Sequence, residues 1–358
     1  MRKIILARNM TGNGVERYIT GLIEEIEKEQ NADHYVLITD SKRLAYKAKK
    51  IKIFLLPFAN RIFFDFGYSF FLLLFYPRAI LFYTKNIIPP LHFLLPQKKM
   101  VLVHDLGYFS PVARGKAYPF FDRLYARLFL RLSLTRAKLI LAVSETTKKM
   151  IERKYPAVIK KIRVAAPGIR VWLPEEEKRK DILKKYSLIK PYFLYPGSIS
   201  PRKNIPRLVE AFLAASLPLH HLYLTGGRGW GEDKEKIKKY IQEKGEGRAQ
   251  FLPFLSDEEL YSIMAEARGV TYPSLLEGVG LPILEAQKLK VPVLTSEIPE
   301  LRETAGEGAI FIDPRDTSSL QKGLEELAGN EEKRRVIIKK GEENSRRYSY
   351  AKTTRAIF

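Results

Sequence analysis

The sequence predicts two doubly wound α/β domains, each a parallel sheet covered by helices on both faces. Three observations predict it. Short apolar runs rich in Val, Ile, Leu, Phe and Tyr alternate with amphipathic helical patterns along the whole chain, the order that parallel strands with crossover helices require. At 358 residues the chain exceeds what one hydrophobic core usually organises, so two domains of roughly 170 residues are expected. Charge also divides it: residues 1–170 carry 31 Lys and Arg against 12 Asp and Glu, and residues 171–358 carry 31 against 28, so +19 of the net +22 lies in the first half.

The elements follow in order. In the first half Lys3–Ala7, Tyr35–Thr39, Ile51–Leu56, Ala79–Tyr83, Met100–His104 and Leu139–Val143 read as strands, because each is a β-branched or aromatic run bounded by polar or turn residues. Val15–Glu29 and Asp122–Ser133 repeat apolar residues at helical spacing. In the second half Tyr192–Tyr195, Leu222–Thr225, Gln250–Leu252, Gly269–Tyr272, Val291–Leu294 and Ala309–Ile312 read as strands by the same signs. The boundary is expected after Arg163-Val-Ala-Ala-Pro-Gly168, within the charged stretch Glu175–Asp181, with the domains taken as 1–170 and 171–344. Parallel sheets bind ligands at the carboxyl ends of their strands, so a cleft between two facing sheets is the expected active site.

Composition narrows the class. With 46% hydrophobic residues there is material for two cores, and no run reaches the ~20 apolar residues that span a bilayer. Met1-Arg-Lys-Ile-Ile-Leu-Ala7 runs straight into a strand rather than a cleavable signal, so a cytoplasmic protein is expected. The absence of cysteine excludes disulfides, thiolate zinc sites and cysteine nucleophiles. The basic first half attracts polyanions: nucleic acid, an anionic lipid surface or a phosphorylated acceptor.

Four motifs fall at strand ends. In Pro273-Ser-Leu-Leu-Glu-Gly-Val-Gly-Leu-Pro-Ile-Leu-Glu-Ala286 two glutamates bracket a turn that opens a helix, with Pro282 in the first helical turn. Glu277 lies in the loop and Glu285 about one turn inside the helix. The amides of Gly278, Val279, Gly280 and Leu281 suit an oxyanion or sugar hydroxyl, and carboxylates beside them accept from a polyol; a first-turn glutamate also serves simply to complement the helix dipole. Pro196-Gly-Ser-Ile-Ser-Pro-Arg-Lys-Asn204 holds Arg202 and Lys203 between a strand and a helix, a place for a diphosphate or else a solvated basic turn. Gly12-Asn-Gly14 follows the first strand, either as a phosphate-approaching loop or as a tight turn. Val103-His-Asp105 puts His104 and Asp105 at another strand end, where a neutral imidazole donates to a substrate oxygen or serves structure alone.

Gly197-Ser-Ile-Ser-Pro-Arg-Lys-Asn-Ile-Pro-Arg-Leu-Val-Glu-Ala-Phe212, the Pro273–Ala286 stretch and Pro292-Val-Leu-Thr-Ser296 closely resemble the group 1 retaining glycosyltransferases of GT-B fold, two Rossmann-like domains facing across a cleft, and most of all bacterial mannosyltransferases that build surface polysaccharides. Val103-His-Asp-Leu106, Ala142-Val-Ser-Glu-Thr146 and Ala166-Pro-Gly168 resemble the first domain of the same family. The resemblance implies that Glu277 lies near the donor sugar, that Gly278–Leu281 and Gly197 belong to the donor site, and that Glu285 holds the ribose. It also implies that Arg202 and Lys203 hold the diphosphate, that Gly12 and Gly14 approach it from the first domain, and that His104 lies near the donor sugar. The segment Tyr348-Ser-Tyr-Ala-Lys-Thr-Thr354 resembles the family's terminal crossover, assigning 345–358 to the first domain. The implied donor is GDP-mannose, with a UDP-hexose next, and the implied acceptor is a glycan or lipid-linked glycan.

Departures are Val279 for the usual Phe, Gln287-Lys288 for Met-Ala, and Gly-Asn-Gly-Val-Glu-Arg-Tyr18 for a shorter glycine run. With no Asp-x-Asp pair and no His cluster, no metal and no cofactor beyond the nucleotide sugar are expected, and fixed cations are left to meet the leaving charge. Phe54–Tyr83 is apolar and aromatic within the basic half, which suits an anionic membrane surface or else a buried helix over Phe66–Tyr76. Two rival classes are a nicotinamide enzyme using Gly12–Gly14 with Asp40, which leaves the Glu277 and Arg202-Lys203 motifs idle, and a nucleic-acid binder, for which no base-reading module is present.

Overall fold

Strands buried on both faces read as continuous apolar runs, and most of the thirteen strands that pair in the computed structural model, which describes residues 2–8, 14–56, 69–109, 120–226 and 233–358, are of this kind. Two compact units result: the described residues up to Gly168 together with Tyr348–Phe358 form the first, and Ile169–Arg347 lie in the second. The first division falls two residues before the expected one, and the second falls after Arg347.

In the first unit β1 (Lys3–Ala7), β2 (Tyr35–Thr39), β3 (Lys52–Leu55), β4 (Ile80–Tyr83), β5 (Lys98–Val103), β6 (Leu139–Ala142) and β7 (Ile162–Val164) form one parallel sheet in the order β3-β2-β1-β4-β5-β6-β7. In the second, β8 (Tyr192–Tyr195), β9 (His221–Leu224), β10 (Ala249–Phe251), β11 (Gly269–Tyr272), β12 (Val293–Ser296) and β13 (Ile310–Ile312) pair as β10-β9-β8-β11-β12-β13. This is the doubly wound architecture expected from the sequence. The winding reverses between β1 and β4 in one sheet and between β8 and β11 in the other, the positions where such sheets leave a crevice.

The differences have local causes. β12 starts at Val293 rather than Val291 because Pro292 has no amide for the ladder, although its carbonyl accepts from Val270 N at 2.9 Å. β7 escapes the pattern because three residues, Ile-Arg-Val, are too few to show a period. β5 begins two residues early, at Lys98; the buried Lys99 stem is tolerated because its ammonium donates to the carbonyls of Leu95 and Gln97. The first helix covers Gly14–Ile26 and stops short of Glu29, where Lys28 N and Glu29 N turn back three residues to Glu25 O and Ile26 O.

Residues 69–75 are helical and split by face. Phe71 and Leu72 join the first unit's core, whereas Phe70, Leu73, Leu74 and Phe75 are exposed. The rest of the expected apolar helix, through residue 68, lies outside the described residues, as do Gly12 and Asn13.

The chain's last helix, Tyr350–Ile357, belongs to the first unit, capped by Ser349. Two glycines make room for Tyr350. A Cβ on Gly21 would lie 2.0 Å from the ring's Cζ, and one on Gly168 would lie 2.3 Å from the Tyr350 amide nitrogen. The phenol is held as well, donating to Arg17 O at 3.1 Å. With the ring fixed on both sides, Gly21→Ala is expected to cost about 2–3 kcal/mol in urea unfolding, largely recovered by adding Tyr350→Leu.

His92 is fully buried in the short turn Pro90–Leu94, with its Nδ1 2.9 Å from the Tyr83 hydroxyl. Burial pushes its pKa down to about 4, with Lys99 and Arg8 acting the same way. The unfolded imidazole titrates near 6.5, so between these values the unfolded chain binds the extra proton and stability falls as pH falls. Urea unfolding at pH 7 and pH 5 is expected to differ by about 2 kcal/mol from this residue, a difference that His92→Gln removes.

Candidate active site

The second unit's switch point is built by two loops. After β8, Pro201–Lys203 forms one 3-10 turn, and Asn204 sits in the left-handed region (φ 61°). The Asn204 amide holds three strand-end loops together by donating to Pro314 O at 2.7 Å and Pro273 O at 3.2 Å. After β11, residues 273–280 lead into the helix Leu281–Lys288, with Leu275 N donating to Arg202 O at 2.8 Å and so tying the second loop to the first. Gly280 starts the helix at φ +94°, where a side chain would be strained and its Cβ would lie 2.8 Å from Leu301 Cδ2.

This stitching brings three of the expected residues together. Glu277, 7% exposed, accepts from Arg202 Nη1 at 2.8 Å through Oε2 and from the Lys203 ammonium through Oε1. Lys203, 5% exposed, also donates to the Tyr272 hydroxyl and lies 4.6 Å from the centre of that ring. Arg202 Nη1 in addition donates to Leu276 O at 3.0 Å. Burial alone raises the carboxyl pKa of Glu277, but Arg202 and Lys203 outweigh it and hold the group at about 2. The acid expected beside a sugar and the cations expected beside a diphosphate are thus one buried cluster of net charge +1.

Other positions fall around it. Glu285 is buried on the helix Leu281–Lys288, one turn from its start. The opening amides of that helix, around Leu281, have no acceptor within the helix. Thr304 holds the turn by donating its hydroxyl to Val279 O. The Gly197 amide donates to Thr225 Oγ1 at 3.0 Å, and a Cβ there would meet the Tyr195 hydroxyl at 2.8 Å, so this glycine closes the loop after β8. Gln287, one of the departures, bridges elements by donating to Ala305 O at 2.8 Å and accepting from Asn344 at 2.8 Å.

Sequence reading missed Tyr272, whose only signal was an aromatic residue at a strand end. It also missed three buried hydroxyls, Ser200, Ser274 and Ser296, whose Oγ atoms make no hydrogen bond with the described chain. They follow or end β8, β11 and β12.

In the first unit, His104 follows the last residue of β5. Its Nε2 lies 2.8 Å from Thr84 O, a carbonyl that only accepts, so Nε2 carries the proton. Burial pushes the imidazole below its ordinary value, so at neutral pH it is uncharged and Nδ1 is an acceptor. With its Nε2–H committed to Thr84 O, the neutral ring has no second N–H to give a substrate oxygen, and Nδ1 is left as an acceptor. Asp105 is used locally, its Oδ1 accepting from Gly107 N at 2.8 Å. Gly14 is the first residue of the helix Gly14–Ile26.

Against known proteins, the family model described as glycosyl transferases group 1 matches residues 175–344, and the one described as glycosyltransferase family 4 matches residues 12–172. O-antigen chain mannosyltransferase B of Escherichia coli is 31% identical over 280 residues, which is 74% of this chain and 70% of that protein. The chain belongs to the group 1 glycosyltransferases. O-antigen chain mannosyltransferase RfbU of Salmonella typhimurium is 27% identical over 252 residues, 69% of this glycosyltransferase and 66% of the relative. Among solved structures, Anabaena Alr3699/HepE in complex with UDP-glucose superposes with a TM-score of 0.83 at 15% identity, covering 100% of this chain and 98% of that one. WaaG, a glycosyltransferase involved in lipopolysaccharide biosynthesis, gives a TM-score of 0.74 at 16% identity, covering 99% and 98%. These likenesses place the glycosyltransferase in the GT-B fold.

Proposed function

We propose that this glycosyltransferase moves mannose from GDP-mannose to a growing surface glycan, with retention at the anomeric carbon. The single observation that carries the reading is the cluster at the β8–β11 switch point, where Arg202 and Lys203 pair with Glu277 in the loop that leads into the helix Leu281–Lys288. The choice of mannose rests on the curated relatives, both mannosyltransferases.

In this reading Arg202, Lys203 and the helix-start amides take the diphosphate, Glu285 takes the ribose and Glu277 faces the hexose. His104 Nδ1 accepts from a sugar hydroxyl. Glu277 is a poor nucleophile, since two cations hold it ionised and engaged. The acceptor oxygen therefore attacks C1 on the face the diphosphate leaves. The C1–O bond to phosphate breaks, and a leaving phosphate oxygen takes the acceptor proton. Charge on the departing nucleoside diphosphate is met by Arg202 and Lys203, so neither metal nor resident cofactor enters the scheme.

Thermal-shift titration with GDP-mannose, UDP-glucose, UDP-galactose and NAD, each with and without chelator, tests this reading. GDP-mannose stabilisation that persists in chelator is expected. A larger shift with a UDP-hexose changes the donor, one with NAD alone overturns the reading, and loss of the shift in chelator restores a metal.

No helix among the described residues is long and apolar enough to cross a membrane. We place the enzyme at the cytoplasmic membrane surface, because Phe70 and Phe75, 71% and 62% exposed, project with Leu73 and Leu74 from the basic unit. Apolar insertion and cationic attraction reinforce one another at an anionic bilayer. Flotation with phosphatidylglycerol vesicles is expected, and its loss in Phe70→Ser/Phe75→Ser; absence of wild-type flotation at low salt refutes the placement.

A further inference from the structure

The second sheet ends at β13, which pairs with β12 on one side and with no strand on the other. Glu297 N donates to Ile312 O at 2.7 Å, so the Ile312 carbonyl faces β12. Successive residues of a strand turn their N–H and C=O to opposite sides, and Phe311 therefore presents both groups to the open edge. No hydrogen bond from the described chain meets them there.

Beyond that edge lies a groove. The helix Glu331–Ser345 stands off from β13 across a cavity of about 250 Å³ and lines it with Lys333, Val336, Ile337 and Lys340. These are positions i, i+3, i+4 and i+7, one face of a helix. Val336 is 40% exposed, so the groove is open to solvent. On the strand side Arg302 steadies the Phe311 ring, its guanidinium 3.9 Å from the ring centre and 2.9 Å from Glu297. Lys333 has Glu326 at 4.0 Å, whereas Lys340 has no ion pair among the described residues.

These features select an extended polypeptide. A main chain laid along the edge satisfies the Phe311 N–H and C=O together, and its alternate side chains then face the helix wall. Side chains two residues apart on such a chain are separated by about 6.8 Å, and Val336 and Ile337 lie about one helical turn, roughly 5.4 Å, from Lys340. A β-branched side chain against Val336 and Ile337 thus brings the one two residues away to Lys340, where the unpaired ammonium takes a carboxylate. A nucleic acid would require a row of free cations instead.

We propose that the groove between β13 and the helix Glu331–Ser345 docks an extended segment of a partner protein as an added strand. The segment carries a β-branched residue facing Val336 and Ile337 and an acidic one facing Lys340. This surface belongs to the second unit alone and is separate from the Arg202–Lys203–Glu277 cluster.

Selection of a displayed random heptapeptide library on the immobilised full chain, followed by resynthesis of the enriched peptides, tests it. Enrichment of Asp or Glu two residues from Val, Ile or Thr is expected. In NMR hydrogen exchange on the full chain, a bound peptide should slow the Phe311 amide about tenfold or more. Val336→Trp, which fills the groove, and N-methylation of the peptide main chain should each weaken binding about tenfold or more. Lys340→Glu should exchange the acidic preference for a basic one. If Val336→Trp does not fold, Val336→Glu at the same exposed position takes its place. Peptides that leave Phe311 exchange unchanged, that bind the filled groove as tightly as the wild type, or that tolerate N-methylation overturn the proposal, as does a selection that enriches no such pattern.

Discussion

Lys203→Met is expected to lower turnover about 10²–10³-fold, the usual consequence of removing one preorganised group from a developing negative charge. The same change is expected to destabilise the folded chain by about 3 kcal/mol, because Glu277 is buried and would keep only Arg202 as a cationic partner. These two effects are separable. Adding Glu277→Gln removes the stranded carboxylate, so the double variant regains most of the stability in urea unfolding while turnover stays low. Turnover that recovers together with stability would mean that Lys203 serves the fold and has no part in the reaction.

Glu277→Gln alone carries the second large effect. The carboxyl is held at about 2, so it is ionised at neutral pH. Glutamine keeps the shape but gives up the charge that orients Arg202 and Lys203 and that, in the function proposed above, faces the hexose. Transfer is expected to fall about 10²-fold or more. Binding of GDP, which has no hexose, should hold or strengthen, since the two cations no longer have Glu277 to neutralise them. Isothermal titration with GDP and GDP-mannose reads this directly: selective loss of affinity for the sugar nucleotide places Glu277 at the sugar, whereas parallel loss of both reduces it to a scaffold for the cations. The depressed pKa carries a stability term too. It is fully present above the unfolded value near 4.5 and is lost as pH falls through about 2, so the donor site should survive mild acid better than the His92 region does.

Much of this was legible in the chain itself. Strands such as β1, β2 and β11 are buried on both faces, and continuous apolar runs bounded by turn residues announce them without help from neighbours. Gly280 and Pro282 mark a helix start by backbone preference alone, and so the position of Glu277 in the loop before it followed from local rules. The strongly basic first half is likewise a property of composition.

What the sequence could not give is which charges face which. Glu277 is 75 residues from Arg202, and reading along the chain did not show that the acid and the cations are hydrogen-bonded to one another. Only the parallel pairing of β8 with β11, and Asn204 bridging the loops that follow, brings them within hydrogen-bond reach. The tautomer of His104 depended on a carbonyl 20 residues away. Local sequence sets backbone preference and burial, because those depend on a residue and its near neighbours. Electrostatic pairing depends on distance in space, and strand order, which the chain fixes only when it folds, decides that distance.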